Sequence, residues 1–265
     1  MTSRISTYFK IPKLSYRLWK VWNRDRDVFM KTFKTDLFIP LLEPLLYLVA
    51  MGFGLGLFIQ EINGVSYIQF IAPGLVSISM MYASFSECSY SSYVRMYYHK
   101  TYDSIIATPV SLEEVVAGEI LWGATKSLIN SSIVLAVIAV LGLVNGPLFL
   151  LVIPFSFLVG LLFASIAMCC TAVVPSIDAF NYPQFLFIMP MFLFSGTYFP
   201  VTILPQPVQL FTQLFLPLTH TVNIIRGLTI GRPDPSMLLS LLWIVTVMVV
   251  FFILSINLMV KRLIK

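Results

Sequence analysis

Long apolar runs alternate with short polar segments along most of this 265-residue chain. A helix needs about 20 apolar residues to cross the hydrocarbon core of a bilayer. Six runs reach that length, at residues 37–59, 68–90, 121–144, 148–174, 180–199 and 237–259. The pattern therefore predicts an all-α integral membrane protein with six transmembrane helices.

The first 36 residues follow a different pattern. Five apolar residues there share one helical face: Ile11, Leu18, Trp22, Phe29 and Phe33. Basic residues cover much of the rest, which favours an amphipathic helix in the membrane interface. Asp25 interrupts the apolar stripe, so a break at residues 23–27 is one expectation. A partly disordered basic tail is the alternative.

The segment between the fifth and sixth runs, residues 201–236, is apolar but is cut by five prolines: Pro205, Pro207, Pro217, Pro233 and Pro235. Proline interrupts a helix because it lacks a backbone N–H and its ring clashes with the preceding turn. Short re-entrant or interfacial helices are therefore predicted for residues 196–236, rather than a further complete span.

The loop between the second and third runs, residues 91–120, carries signals for a helical hairpin. Pro109 disfavours helix at Thr108, and Ser111 with Glu114 forms a capping box that begins the next helix. A short helix standing alone is marginal in water. The pattern favours a hairpin docked on a soluble partner, with three apolar contact residues: Tyr102, Ile105 and Ile106.

Composition supports a lipid environment. Hydrophobic residues make up 58% of the chain and charged residues only 11%, and the mean hydropathy is +0.89; soluble domains carry about 25% charged residues. The net charge is +5, and nine of the 17 Lys and Arg precede residue 37. Basic residues beside an apolar span indicate contact with lipid headgroups, and the sequence has no nucleic-acid recognition motif.

Lys and Arg also predict the orientation. With the N-terminus inside, fifteen of them lie on cytoplasmic segments, and two, Arg226 and Arg232, lie outside. Cytoplasmic loops of membrane proteins carry an excess of these residues. Both termini are therefore predicted to be cytoplasmic, in agreement with an even number of spans.

Side chains with reactive groups are scattered rather than clustered. His99 and His220 are isolated, so the helical zinc-site motif is absent, and the three cysteines form no C-x-x-C pair. The closest likeness to a phosphate-binding loop runs from Gly118 to Lys126, but two residues separate Gly123 from the lysine. No catalytic residue, metal site or ATP site is predicted in this chain.

Two acidic residues, Glu43 and Glu87, lie near the predicted cytoplasmic ends of apolar runs. Carboxylates at membrane depth can serve as proton relays. Interfacial anchoring or local pairing is the preferred interpretation, because water and cationic partners are available at helix ends. Lys126 is expected to extend its ammonium towards the same interface.

Several short motifs occur in an order that resembles one known family. They are Trp22-Asn-Arg24-Asp25, Leu42-Glu43-Pro44, Gly52-Phe-Gly54-Leu-Gly56, Tyr67 to Gly74, Tyr102-Asp103, Thr108-Pro109, Gly118-Glu119, Ser195-Gly196, Phe199-Pro200, Leu216-Pro217 and Ile225-Arg226. The ordered set, which covers nearly the whole chain, is similar to the type-2 ATP-binding-cassette exporter permeases. Within that family the nodulation-factor and daunorubicin-resistance exporters are the most similar branch.

This resemblance implies a homodimer with two copies of a separate ATPase, which would bind ATP and Mg. Residues 1–36 would form the connecting helix ahead of a membrane domain at residues 37–265. The coupling residues would be Tyr102, Asp103, Ile105, Ile106, Thr108, Pro109 and Glu114. Outward-facing re-entrant helices would include Gly196, Phe199, Pro200, Pro217, His220 and Arg226. The location implied is the cytoplasmic (inner) membrane of a prokaryote.

The second and fifth runs carry more polar side chains than lipid contact requires. These runs, together with the first, are expected to line a substrate path that includes Tyr47, Tyr82, Phe85, Phe192 and Tyr198. Hydrogen bonding between helices without substrate contact is the alternative. The predicted function is ATP-driven export of an amphipathic, lipid-linked molecule. An ion- or proton-coupled carrier and a membrane subunit without transport are the alternatives.

Overall fold

The computed structural model describes residues 10–59, 61–62 and 64–264. Nearly every element is helical, which confirms the all-α class. Two short antiparallel strands, β1 (Glu61–Ile62) and β2 (Val65–Ser66), form a small hairpin. Eleven α-helical segments lie within the described residues. They are α1 (Leu18–Phe53), α2 (Tyr67–Ser86), α3 (Ser92–Tyr97), α4 (Thr101–Ile106), α5 (Leu112–Val140), α6 (Val152–Val173), α7 (Asn181–Pro183), α8 (Met189–Phe194), α9 (Gln206–Phe215), α10 (Pro217–Ile230) and α11 (Ser236–Leu263).

Tighter and wider turns connect several of these helices. Four are 3₁₀ turns, at Leu55–Leu57, Pro147–Leu151, Asp178–Phe180 and Val201–Ile203. Two are π turns, at Glu87–Ser91 and Gln184–Ile188. The first π turn joins α2 to α3 without a break, and the second joins α7 to α8.

Four helical rods within the described residues are long and apolar enough to cross a membrane. They are Tyr67–Tyr97, Leu112–Val140, Pro147–Val173 and Ser236–Leu263. These rods correspond to the second, third, fourth and sixth predicted spans. They confirm a multi-pass membrane protein, whereas the total of six spans stays a prediction.

Helix α1 passes through residues 23–27 without interruption, so the break expected there does not occur, and the first predicted span, residues 37–59, stays a prediction. The fifth was expected to continue to residue 199 but ends at Phe194. Gly196 has a φ of 77°, a left-handed conformation that ends the helix.

Helix α6 lies at the centre, because it packs against α2, α5 and α11. At Gly160 of α6, an added Cβ would lie 2.7 Å from the Cα of Ala124 in α5. Gly118 of α5 is equally confined, because an added Cβ would lie 2.7 Å from the Cβ of Val21 in α1. Small residues therefore let α5 approach both neighbouring helices closely.

The apolar stripe of the N-terminal segment packs partly on the chain itself. Trp22 and Phe29 of α1 contact the ring of Trp122 in α5, at centroid distances of 6.0 and 5.5 Å. Ile11 precedes the helix and is exposed, and Phe33 is also exposed. Residues 1–9 of the predicted segment lie outside the described residues. Helix α5 therefore covers the middle of the stripe, and the interfacial position of the segment stays a prediction.

The proline-rich segment contains the predicted short helices. Helix α9 ends at Phe215, and α10 begins at Pro217, the helix position at which proline costs no hydrogen bond. Helix α10 ends at Gly231, which has a φ of 74°. The position of these helices relative to the membrane stays a prediction.

Candidate functional site

The hairpin predicted between the second and third spans is present. Helix α4 follows Lys100, which has a φ of 50°, and α5 begins after Ser111. The amide of Glu114 donates to the Ser111 hydroxyl at 3.3 Å, and the Ser111 amide donates to the Glu114 carboxylate at 2.8 Å. The predicted capping box is therefore confirmed.

Only part of the predicted coupling surface is open to a partner. Four residues are exposed, and we call them the hairpin tip: Asp103, Ile106, Thr108 and Pro109. Ile105 is half-buried against the core. Tyr102 has 0% exposure and packs in the chain's own core, which corrects its assignment as a contact for a soluble partner. Glu114 is also buried, where it accepts a hydrogen bond from Ser15.

Six charged side chains form a network just inside the bundle from the hairpin. We call it the charge network, and it consists of Arg24, Asp25, Glu87, Arg95, Glu119 and Lys126. Arg95 contacts both Glu87, at 2.7 Å, and Glu119. Arg24 of α1 reaches Glu119 of α5 at 3.0 Å. The network thus connects α1, α3, α5 and the π turn after α2.

The pairing predicted for Glu87 is observed, because Lys126 lies 2.8 Å from its carboxylate and Arg95 occupies the other side. Burial raises the pKa of Asp25 to about 7, and the nearby Glu119 carboxylate adds to the rise. Sequence reasoning did not include Glu119 and Arg95 in a site. The signal available was the carboxylate of Glu119 directly after Gly118, the small residue at which α5 meets α1.

Four of the five residues predicted to line the substrate path contact one another. The ring centroid of Phe192 lies 5.8 Å from Tyr47, 6.5 Å from Tyr82 and 5.2 Å from Tyr198. We call these four residues the aromatic cluster. Phe85, the fifth, is buried in the core. Residues far apart in sequence, from α1, α2, α8 and the segment after α8, therefore meet at one place.

Two cavities lie beside these groups. One, of about 240 Å³, is lined by Tyr47 and Tyr82 of the aromatic cluster. The other, of about 440 Å³, is lined by five of the six members of the charge network, all except Glu119. Asp36 and Lys126 line both cavities. The arrangement offers an aromatic surface next to a charged one.

At the opposite end of the bundle, Arg226 and His220 hold the short helices in place. The Nη2 of Arg226 donates to the carbonyl of Gly196 at 2.7 Å and to that of Phe70 at 3.2 Å. The ring of His220 stacks on Trp243 of α11 at a centroid distance of 4.4 Å. Of the other residues predicted here, Pro217 is buried, and two are half-buried: Phe199 and Pro200.

Comparison with known proteins assigns the chain to a family. Residues 16–230 match the family described as ABC-2 type transporter. The chain belongs to the ABC-2 type transporter family. The resemblance seen in the sequence motifs is thereby confirmed. An ABC-2 transporter in general works with an ABC ATPase.

Two similar relatives are proteins named Nodulation protein J. The one from Rhizobium meliloti is 36% identical over 253 residues, which covers 96% of each chain. The one from Bradyrhizobium diazoefficiens is 34% identical over 255 residues, which covers 96% of this chain and 97% of the relative. The inner membrane transport permease YadH of Escherichia coli is 23% identical over 227 residues, 81% of this chain and 82% of the relative. The two nodulation proteins match nearly the full chain, and the permease matches about four fifths of it.

Proposed function

We propose that the chain is the permease subunit of an exporter that moves an amphipathic molecule across the cytoplasmic membrane of a prokaryote. The substrate class is a lipid-linked one, such as a lipo-oligosaccharide or glycolipid, or a hydrophobic drug. One observation carries this proposal: the aromatic cluster and the charge network line neighbouring cavities that share Asp36 and Lys126. An amphipathic substrate requires both kinds of surface within reach of each other.

The names of the relatives support the same function. Nodulation proteins and an inner membrane transport permease are similar to this chain over most of its length. In the proposal, the chain forms a homodimer that binds two copies of a separate ABC ATPase. ATP and Mg bind to that partner, and this chain holds no cofactor.

The hairpin tip is the proposed docking surface for the ATPase. Ile106 is 42% exposed there, between the exposed side chains of Asp103 and Thr108. An apolar side chain that the chain's own fold leaves open is suited to a groove on a partner. In this proposal both termini are cytoplasmic, and the region of Gly196, Phe199 and Pro200 closes the path on the outer side.

A proton-coupled carrier fits the site less well. Such a carrier needs a carboxylate that can exchange protons at membrane depth. Glu87 instead lies between Arg95 and Lys126, and Glu119 between Arg24 and Arg95. Asp25, whose pKa is raised, precedes the first predicted span and therefore does not lie at membrane depth. A membrane subunit without transport would leave the paired cavities without a role.

Replacement of Ile106 by serine tests the docking surface. Full burial of an isoleucine contributes about 1.5–3 kcal/mol, and 42% of Ile106 is open to a partner, so the variant should bind its ATPase roughly three- to eightfold more weakly. The measurement is the dissociation constant of the purified permease for the ATPase, together with ATP-driven uptake of a lipo-oligosaccharide into inverted vesicles.

The matched control is Ile203→Ser, the same substitution at a more exposed position, 72% against 42%, at the opposite end of the bundle. Its ATPase affinity should equal that of the wild type. Unchanged affinity and transport in Ile106→Ser would contradict the docking surface. ATP-independent uptake driven by a proton gradient would contradict the exporter itself.

A further inference from the structure

A cavity of about 1060 Å³ lies between α10 and the first half of α11. Its lining includes Phe70, from the first turn of α2, so it lies at the end of that rod opposite the hairpin. Along α11 the lining residues extend from Ser236 to Val247, a rise of eleven residues, or about 16 Å at 1.5 Å per residue. The cavity therefore reaches roughly halfway across a hydrocarbon core of about 30 Å.

One end of this cavity carries a cation without an anion. Arg226 uses Nη2 for two carbonyl groups, and its guanidinium lies 3.9 Å from the centroid of the Phe70 ring. Its Nε is buried and has no hydrogen-bond partner among the described residues. No carboxylate in the described part of the chain forms an ion pair with it. A buried cation is costly unless it is paired, so an anion is expected here.

Two hydroxyl groups of residues that line the same cavity also lack a hydrogen-bond partner among the described residues. The Oγ of Ser195 and the Oγ1 of Thr219 are buried, and neither has a partner within the described residues. Buried polar groups in folded proteins are nearly always hydrogen-bonded. Asp234 also lines the cavity, but it is exposed and accepts a hydrogen bond from Ser236 at 2.6 Å. The buried end of the cavity is therefore rich in donors and carries the positive charge of Arg226, whereas the carboxylate of Asp234 lies at an exposed position.

The other side of the cavity is apolar and open. Leu239 and Leu242 of α11 line it and are 72% and 65% exposed. Both lie on the span with the highest mean hydropathy of the four, whose surface is mostly uncovered by the rest of the chain. A ligand that satisfies both sides must combine an anionic head with apolar chains.

We propose that this cavity binds an anionic phospholipid from the leaflet opposite the hairpin. The phosphate accepts hydrogen bonds from Arg226, Ser195 and Thr219, and the acyl chains lie along Leu239 and Leu242. Phosphate oxygens are strong acceptors for a guanidinium, which can donate two bonds at once. Lipid binding at this site requires neither the ATPase nor transport. The lipid proposal can therefore fail while the exporter function stands, and the exporter function can fail while the lipid proposal stands.

The test is lipid binding to the purified full-length protein in detergent, measured by native mass spectrometry. The probes are phosphatidylglycerol, diacylglycerol and inorganic phosphate. We expect one saturable phosphatidylglycerol per chain, bound at least about tenfold more tightly than diacylglycerol, and no binding of millimolar phosphate alone. Arg226→Gln should weaken phosphatidylglycerol binding about ten- to a hundredfold, since a hydrogen bond to a charged group contributes about 1.5–3 kcal/mol. Arg26→Gln removes an equal charge from an exposed pair at the hairpin end of the bundle and should leave the affinity unchanged.

A second variant keeps the test decisive if Arg226→Gln does not fold. Ser195→Ala combined with Thr219→Val removes only hydroxyl groups that lack a partner, so thermal stability without lipid should stay equal or rise. Phosphatidylglycerol should still bind it several-fold more weakly. Equal affinity of this double variant and the wild type would overturn the proposal. So would equal binding of diacylglycerol, or binding of free phosphate as tight as that of the lipid.

Discussion

At the scale of single residues, Tyr102 and Asp25 both meet their partners inside the chain. Tyr102 was expected to meet a soluble protein and is instead fully buried in the core. Asp25 was treated as a flaw in an apolar stripe, yet it pairs with Arg24 and sits beside Glu119. An aromatic or charged residue near a helix end fits either an internal or an external partner, and periodicity alone does not distinguish them.

Arg95 is the residue whose loss should disturb the charge network most. Its replacement by glutamine removes a cation from two buried carboxylates, Glu87 and Glu119. Loss of one member of a buried ion pair costs about 3–5 kcal/mol, because the remaining charge stays in a poorly solvated place. Thermal unfolding of the purified protein should show a clearly lowered midpoint.

The control for this change is Arg26→Gln, because Arg26 pairs with Asp27 on an exposed surface at 2.8 Å. Exposed pairs contribute about 0–1 kcal/mol, so the midpoint should hardly move. Equal shifts in the two variants would mean that the network does not stabilise the fold.

At the scale of elements, sequence signals that act through the backbone predicted where helices begin and end. Pro109 and the Ser111–Glu114 box predicted the turn and the start of α5, and prolines predicted the division into α9 and α10. The continuity of α1 was not predicted. In the sequence, a charged residue within an apolar stripe suggests a break in the helix. Asp25 instead pairs with Arg24 of the same helix, which also reaches Glu119 of α5, so the charge is neutralised and no break is needed.

Helix packing around α6 gives a prediction at this scale. Gly160→Ala places a Cβ 2.7 Å from the Cα of Ala124, a backbone atom that cannot turn aside. Overpacking of this kind typically costs about 1–3 kcal/mol. Gly56→Ala is the control, since the nearest atom would be 3.9 Å away. A lower thermal midpoint is expected for the first variant only, and an unchanged midpoint in both would contradict close packing of α5 on α6.

At the scale of the whole molecule, hydropathy predicted the membrane class and four of the long helices, because twenty apolar residues have few other stable environments. A common substrate path was expected for Tyr47, Tyr82, Phe192 and Tyr198. The contacts between these rings depend on how helices that are far apart in sequence pack against one another. Periodicity predicts which face of a helix is apolar, and it does not reveal which other helix that face meets.

The six-span topology remains the largest prediction at this scale. Reporter fusions after residues 145 and 215 should read outside, and fusions after residues 100 and 178 should read inside, because fifteen of seventeen Lys and Arg lie on the inner segments of that topology. Paired alkaline phosphatase and green fluorescent protein reporters measure both states. An outside signal after residue 100 would remove the basis for a cytoplasmic hairpin.

The burial of Tyr102 sets a limit on how the hairpin can move. To swing α4 away from the bundle, the chain would have to expose that ring to water. Exposure of a buried side chain of this size costs about 1.5–3 kcal/mol, so the detached arrangement would be populated about ten- to a hundredfold less than the docked one. A force applied at Ile106 would therefore move α4 together with the bundle rather than detach α4 from it. The first groups displaced would be those that contact Tyr102.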